Sequence, residues 1–283
     1  MSDRYFDYDV LMTKIDAYMN EYSFLSVTGV ADSMLGRNIP ALIFGEGSTV
    51  ITYVGGEEGC DTVSPRMLLR FVRDICSLYK ENGTAFGFSA ENIFKKYTIV
   101  VIPMLNPDGS CYCAYGVDGD NPIGERVISM NNGSCDFSSW RGNARGVELK
   151  YNYGAQYSDY EPETEVGALC NFLKFGFTPE LLFVFSQSEN NFGTVYFGEG
   201  ENENKIAIAL SQMTGMKRIY KESDNVRLML TDWTINELGA SAFLIELPQI
   251  IGSNYRQIED MAFSCYAGIR KCLFCAPFLN KIK

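Results

Sequence analysis

The 283-residue chain contains no histidine. Histidine is the commonest metal-binding side chain and the only one whose ordinary pKa lies near neutrality. Its absence therefore excludes Ser-His-Asp triads, HExxH zinc sites and every acid–base scheme that relies on an imidazole. An enzyme built from this chain must use carboxylates, cysteines, lysines, tyrosines or a cofactor.

Clusters of basic residues and long apolar runs are absent as well. The net charge is −11, from 24 basic and 35 acidic residues, and no run of lysine or arginine occurs. Nucleic acids and anionic membranes both bind a concentrated positive surface, so neither is an expected partner. No apolar run approaches the length of a membrane-spanning helix.

Cysteine occurs nine times, and these residues are predicted to be free thiols. Most lie in apolar stretches, which is typical of buried unpaired cysteines. Residues Met1 to Tyr8 lack the apolar core of a secretion signal. We therefore expect a cytoplasmic protein whose thiols stay reduced. Cys272 and Cys275 form a CxxC segment that ends a helical pattern, and no second pair has zinc-binding spacing, so both are expected in the core.

Helical and strand patterns alternate along the whole chain. Helices are predicted at Asp7–Tyr22, from Pro65 to Tyr79, at Glu161–Phe175, at Lys205–Met213 and from near Asn254 to Phe274. Strands are predicted at Phe24–Val30, Ala41–Phe44, Thr49–Val54, Tyr97–Ile102, Leu181–Phe185 and Ala242–Leu247. This alternation predicts a single α/β domain over residues 1–283, with a mixed, mostly parallel sheet between two helical layers.

Polar residues follow several of these strands. Because ligands bind at the carboxyl ends of strands in open α/β sheets, we expect the functional residues there. These ends are Gly55–Asp61, Asn106–Gly109, Ser186–Asn190 and Glu246–Pro248. The segment from Ser110 to Gly154 is rich in Gly, Asn, Asp and Ser and is predicted to be irregular. The segment from Gly198 to Glu203 is predicted to be an acidic loop.

Six short segments carry recognisable motifs: residues 33–40 (SMLGRNIP), 101–109 (VIPMLNPDG), 140–149 (WRGNARGVEL), 160–164 (YEPET), 232–233 (DW) and 243–247 (FLIEL). In this order they resemble the motifs S-x-x-G-R-x-I, P-x-x-N-P-D-G, W-[RK]-x-N-x-R-G-V-D-L-N, S-E-P-E-T, D-W and F-T-[IV]-E-L of the zinc carboxypeptidases. The bacterial branch that cleaves γ-D-glutamyl-diamino-acid links of cell-wall peptides looks most similar. The resemblance implies a three-layer αβα carboxypeptidase-like domain.

The resemblance also implies a zinc ion, which the family holds with two histidines and one glutamate. The first histidine and the glutamate form an H-x-x-E segment, which falls on Glu57 and Cys60. The second histidine falls on Ser186. All three zinc-holding positions are therefore replaced, and no cofactor is expected although the family implies zinc.

Other family positions are retained or altered. The general-base glutamate falls on Glu246, and the arginine that polarises the scissile carbonyl falls on Arg141. The substrate clamp of the family falls on Lys150, Tyr151 and Asn152, with Tyr151 at the position of the carboxylate-binding arginine. We expect these three residues to contact a substrate or ligand.

Two functional interpretations follow from the resemblance. A zinc-bound water has a pKa of about 7, whereas a lone carboxylate with a pKa of about 4 is a poor base for water. The favoured interpretation is therefore a pseudo-peptidase with a degenerate active site, which binds a peptide or muropeptide-like ligand in the old cleft. The alternative is an active peptidase or amide hydrolase that uses Glu246 and Arg141 with either a non-standard metal site or Cys60 as nucleophile.

Purely structural interpretations of the same residues remain open at this stage. The segment Glu57–Asp61 contains Glu57, Glu58, Cys60 and Asp61, which are the candidates for a replacement metal site. It can equally be an exposed acidic loop at a strand end. Glu246 can cap a helix or pair with Arg141.

Overall fold

A computed structural model describes residues 6–119, 122–154, 161–187, 193–221, 228–248 and 255–281. Its central feature is one sheet of eight strands: β1 (Ser26–Asp32), β2 (Asn38–Phe44), β3 (Thr49–Val54), β6 (Tyr97–Ile102), β7 (Leu181–Gln187), β8 (Thr194–Phe197), β9 (Lys217–Tyr220) and β10 (Ser241–Leu247). Two short strands, β4 (Thr84–Ala85) and β5 (Phe88–Ser89), form a separate hairpin.

The strand order in the sheet is β1-β2-β6-β3-β7-β10-β8-β9. The four central strands β6, β3, β7 and β10 run parallel to one another, and β9 runs parallel to β8. The remaining neighbours, β1–β2, β2–β6 and β10–β8, are antiparallel. The sheet is therefore mixed with a parallel centre, which confirms the predicted fold class.

Helices cover both faces of the sheet. They are α1 (Tyr8–Glu21), α2 (Ser64–Lys80), α3 (Ala90–Lys96), α4 (Pro107–Tyr115), α5 (Pro122–Met130), α6 (Thr164–Asn171), α7 (Glu201–Thr214), α8 (Leu230–Trp233) and α9 (Tyr255–Cys275). Side chains of a strand alternate between faces. In β7, Phe183 and Phe185 join the core formed with α1, α2, α7 and α9, whereas Leu182 and Val184 join the core formed with α6 and α8. A strand buried on both faces reads as a continuous apolar run, which is why this strand was predictable.

Local signals place several helices where the sequence predicts them. The side chain of Asp7 caps α1 by accepting a hydrogen bond of 2.9 Å from the N–H of Val10. Pro65 lies in the first turn of α2, where its missing N–H costs no helical hydrogen bond. Cys272 and Cys275 are both buried at the end of α9, so the prediction that they belong to the core is confirmed.

The prediction of an irregular segment from Ser110 to Gly154 is wrong. This segment contains most of α4, all of α5 and a 3-10 turn at Leu149–Tyr151. The start of α4 has strong local signals, because Asn106 caps it with a 2.9 Å hydrogen bond from the N–H of Gly109 and Pro107 follows directly. The richness in glycine and asparagine obscured these signals.

Some predicted boundaries are also wrong. Helix α7 begins at Glu201, so Glu201–Glu203 forms its first turn instead of an acidic loop, in agreement with the preference of carboxylates for helix N-termini. Helix α6 begins at Thr164 and continues as a π-helical turn over Phe172–Gly176. The predictions that concern Tyr160, residues 188–190 and Asn254 lie outside the described residues. Among the described helices, none combines the length and the apolar character that crossing a membrane requires.

Candidate functional site

The parallel strands bring three predicted site residues to one edge of the sheet. Ser186 in β7 and Glu246 in β10 are in register as neighbouring residues. Val54, the last residue of β3, is in register with Val184 of β7, and Glu57 follows it by three positions. The carboxyl ends of β3, β7 and β10 therefore meet where the family resemblance places the zinc ion.

The loop that follows β3 is buried, which corrects the interpretation of an exposed acidic loop. Glu57, Glu58 and Asp61 retain only 3%, 4% and 3% of their exposure. The loop packs against the turn before α4, where Asn106 donates a hydrogen bond of 3.1 Å to the carbonyl oxygen of Glu57. A Cβ atom on Gly59 would lie only 2.7 Å from the carbonyl of the facing backbone, so this close approach requires glycine.

Glu57 is held by a tyrosine. The hydroxyl of Tyr153 donates a hydrogen bond of 2.7 Å to Oε1 of Glu57. Burial of the carboxyl group raises the pKa of Glu57 to about 7, against the opposing effects of Tyr153 and Lys150. Glu57, at the first zinc-holding position, is thus partly protonated near neutrality and accepts a hydrogen bond from Tyr153.

Arg141 lies beside Glu58. Its Nε atom is 3.7 Å from Oε1 of Glu58, and a third of its side chain is exposed. Arg141 is therefore partly accessible to solvent, whereas its partner Glu58 is buried. Oε1 of Glu246 lies 3.2 Å from Nζ of Lys150, a partner that the structural interpretation of Glu246 does not include.

Lys150 occupies the interior of the site. Its side chain keeps 7% of its exposure, and that of Glu246 keeps 16%. Burial opposes the charge of Lys150, but the carboxylates of Glu58 and Glu246 outweigh it and raise the pKa of the ammonium group. The sequence predicted Lys150 as a ligand contact but not its pairing with Glu246, since the two residues are 96 positions apart.

The other two residues of the predicted clamp lie next to Lys150. Tyr151 lies in the same 3-10 turn, and the centre of its ring is 5.9 Å from the ammonium nitrogen of Lys150. Asn152 ends this turn, and its Oδ1 accepts a hydrogen bond of 2.7 Å from the N–H of Glu163. Asn152 therefore ties the turn to the segment before α6.

The remaining two zinc-holding positions carry weak ligands. Burial, followed by the charges of Glu58 and Asp61, raises the pKa of the Cys60 thiol to about 12, so the thiol keeps its proton at neutral pH. Ser186 is 2% exposed, and its hydroxyl oxygen has no hydrogen-bond partner among the described residues. Asp61, which follows Cys60 in the loop, accepts hydrogen bonds from the N–H groups of Val63 and Ser64 at the start of α2.

These residues do not fit a zinc ion. Zinc requires deprotonated thiolate, imidazole or carboxylate ligands at about 2.0–2.3 Å. Here the carboxylate of Glu57 is bonded to Tyr153, the thiol of Cys60 is protonated and Ser186 offers a neutral hydroxyl. Within the ranges that the structure describes, no three His, Cys, Asp or Glu side chains are grouped closely enough to hold a metal.

Comparison with known proteins agrees with this architecture. Residues 11–170 match the profile of the Peptidase_M14 family, described as zinc carboxypeptidase. The chain is 27% identical over 152 residues to γ-D-glutamyl-L-diamino acid endopeptidase 1 of Lysinibacillus sphaericus, a match that covers 54% of this chain and 38% of the relative. The chain thus spans well under half of the length of this relative.

Two crystal structures show the same fold. Thrombin activatable fibrinolysis inhibitor is 13% identical with a TM-score of 0.74, over 98% of this chain and 74% of that protein. A metallo-carboxypeptidase from Burkholderia cenocepacia is 13% identical with a TM-score of 0.69, over 94% of this chain and 69% of that protein. With more than half of its length matched by the family profile, this chain belongs to the zinc carboxypeptidase family.

Proposed function

We propose that this protein is a non-hydrolytic member of its family, which binds a peptide or a cell-wall peptide fragment in the cleft. The observation that carries the proposal is the chemistry of the three zinc-holding positions. Glu57 is bonded to Tyr153, Cys60 keeps its proton and Ser186 is a hydroxyl. Without a metal to lower the pKa of water, the general-base position alone gives no hydrolysis.

The state of Glu246 supports the same conclusion. A general base must reach the water that it deprotonates, at about 2.6–3.2 Å. Oε1 of Glu246 is instead directed at the ammonium of Lys150, 3.2 Å away. Cys60 is no substitute as a nucleophile, because a thiol with a pKa of about 12 contains almost no thiolate near neutrality.

The cleft keeps polar groups that suit a peptide. Arg141 is one-third exposed and can donate hydrogen bonds to carbonyl or carboxylate oxygens. Tyr151 stands at the family position for binding a terminal carboxylate, so recognition here involves an aromatic contact in place of a charge pair. The relative from Lysinibacillus sphaericus is named for γ-D-glutamyl-L-diamino acid peptides, which makes such fragments the first ligands to test.

A cytoplasmic location is part of the proposal. All nine cysteines are free thiols, and unpaired cysteines in this number are typical of a reducing compartment. Cell-wall peptides are extracellular, so the ligand inside the cell would be a recycled wall fragment or another peptide.

Calorimetric titration with synthetic γ-D-glutamyl-diamino-acid peptides and with linear peptides tests the proposal. We expect binding to wild type, no cleavage of the bound peptide by mass spectrometry, and at least a tenfold loss of affinity in Arg141→Ala. Arg145→Ala is the matched control, because Arg145 also lies 3.7 Å from a buried carboxylate, that of Glu163, but is more exposed. This control should bind like wild type.

Two results would reject the proposed function. One is submicromolar zinc affinity in the cleft at neutral pH, measured by titration of the metal-free protein. The other is peptide cleavage that the Glu246→Gln variant abolishes, which would establish an active hydrolase. The absence of binding to every peptide class would remove the ligand part of the proposal.

A further inference from the structure

The edge of the sheet where the family holds zinc contains more negative than positive groups. Glu57, Glu58 and Asp61 follow β3 and are each less than 5% exposed, and Glu246 lies in β10, which is separated from β3 by β7. Carboxylates gathered in a buried site repel one another and need a cation or protons. In an active member of the family, the zinc ion supplies that positive charge.

Lys150 is the cation that lies among these carboxylates. Its Nζ is 3.2 Å from Oε1 of Glu246. Its charge also favours the ionised forms of Glu57, Glu58 and Asp61, whose pKa values it lowers against the effect of burial. Arg141 contributes on the outer side, but its side chain is one-third exposed whereas that of Lys150 is 7% exposed.

The surroundings fix Lys150 in this place. The residue belongs to the 3-10 turn whose first residue, Leu149, is fully buried in the core. Together with Glu57 and apolar side chains such as Val184 and Leu244, Lys150 lines a narrow gap that is too small to admit a water molecule. An ammonium in such surroundings is strongly unfavourable unless carboxylates compensate it, so Lys150 and the carboxylates depend on one another.

We propose that the ammonium group of Lys150 is the resident cation of this cleft, and that it compensates the buried carboxylates in the place of the zinc ion. An ammonium can donate three hydrogen bonds, and one of them is directed to Glu246. A remaining donor can bind a carbonyl or carboxylate oxygen of a ligand, a part of the inference that rests on the proposed function. Unlike zinc, an ammonium does not generate hydroxide from water, so the cleft binds without hydrolysing.

A double-mutant cycle on the full chain tests the inference by thermal unfolding without any ligand. Lys150→Met should lower the Tm by about 6 °C or more, because it leaves carboxylates buried without their cation. Glu246→Gln should recover part of that loss when it is combined with Lys150→Met. Lys150→Arg keeps the positive charge, so its Tm should be closer to that of wild type than the Tm of Lys150→Met is.

Lys174→Met is the matched control, since Lys174 pairs with Glu237 at a similar distance of 3.0 Å but is 44% exposed. Its Tm should change by no more than about 2 °C. The inference is overturned if Lys150→Met lowers the Tm no more than Lys174→Met does. It is also overturned if adding Glu246→Gln to Lys150→Met does not raise the Tm. Should Lys150→Met fail to fold, the double variant decides: it folds under this inference, and an unfolded double variant refutes it.

Failure of this inference and failure of the proposed function have different signatures. The cycle reads only stability, so peptide binding and zinc affinity do not enter it. If the protein binds peptides but the cycle shows no coupling between Lys150 and Glu246, the proposed function stands and the role of Lys150 as resident cation is rejected. If the coupling is strong but no peptide binds, the role of Lys150 stands and the proposed ligand is rejected.

Discussion

The hydroxyl of Tyr153 donates a hydrogen bond of 2.7 Å to Oε1 of Glu57, and both side chains are buried. This contact joins the loop after β3 to the segment that carries Lys150. It also occupies an oxygen of the residue at the first zinc-holding position. The side chain that the family resemblance places at this position is therefore engaged by a buried donor within the protein itself.

Replacing Tyr153 with phenylalanine should destabilise the protein by about 1–3 kcal/mol, because it leaves the buried Glu57 carboxyl group without its donor. Urea unfolding at pH 7 measures the change. Tyr97→Phe is a matched control, since the hydroxyl of Tyr97 has no hydrogen-bond partner in the described ranges. Removing that hydroxyl should cost less than about 0.5 kcal/mol, and equal losses in the two variants would contradict the role of the contact.

The stability of the protein should depend on the ionisation of Glu57. Its pKa rises from 4.5 to about 7 on folding, so the folded state binds the proton more tightly than the unfolded chain does. The contribution of Glu57 to the free energy of unfolding is largest below pH 4.5 and falls as the pH rises to about 7. The total loss is on the order of 3 kcal/mol.

Glu57→Gln removes this titration. The free energy of unfolding of the variant should be closer to that of wild type at pH 5 than at pH 8. At pH 8 the variant should be the more stable of the two proteins. Denaturant unfolding across pH 5–8 measures both slopes, with the exposed Glu91→Gln as a control that should leave the slope unchanged. A wild-type slope that persists in Glu57→Gln would show that another group titrates.

The sequence predicts the sheet well, because its central strands carry local signals. Thr49–Val54 and Tyr97–Ile102 are continuous β-branched and apolar runs, and the structure gives them the predicted bounds. The sequence does not predict the short strands β8 and β9. Each has only four residues, and β9 is largely exposed, so periodicity gives little signal there.

The contacts of the site were harder to predict than its positions. The motifs place Glu57, Ser186 and Glu246 near one another, and the structure brings them to the same sheet edge. Asn106 donates a hydrogen bond to the carbonyl oxygen of Glu57 from 49 positions away, and the pairing of Lys150 with Glu246 spans 96 positions. Such contacts arise from tertiary packing, which the local sequence of the acidic loop does not encode.

Cys60 should be nearly inert towards alkylating reagents. A pKa of about 12 leaves about one thiolate in ten thousand at pH 8. Cys135 is exposed and should be modified first by iodoacetamide, with the sites identified by peptide mass spectrometry. Rapid modification of Cys60 at pH 8 would contradict its raised pKa in partly buried, acidic surroundings and would support the cysteine nucleophile of the alternative function.

Restoring the zinc ligands provides a gain-of-function test of the site. Glu57→His, Cys60→Glu and Ser186→His reintroduce the family's two histidines and one glutamate at positions that the strands hold together. The ammonium of Lys150 would still repel a divalent cation, so this triple variant should bind zinc weakly. Adding Lys150→Asn, the residue of the family motif, should raise the zinc affinity by about tenfold or more. Competition with a fluorescent zinc chelator measures both affinities, and circular dichroism checks that each variant is folded. Equal zinc affinities with and without Lys150 would show that the ammonium does not compete for the place of the metal.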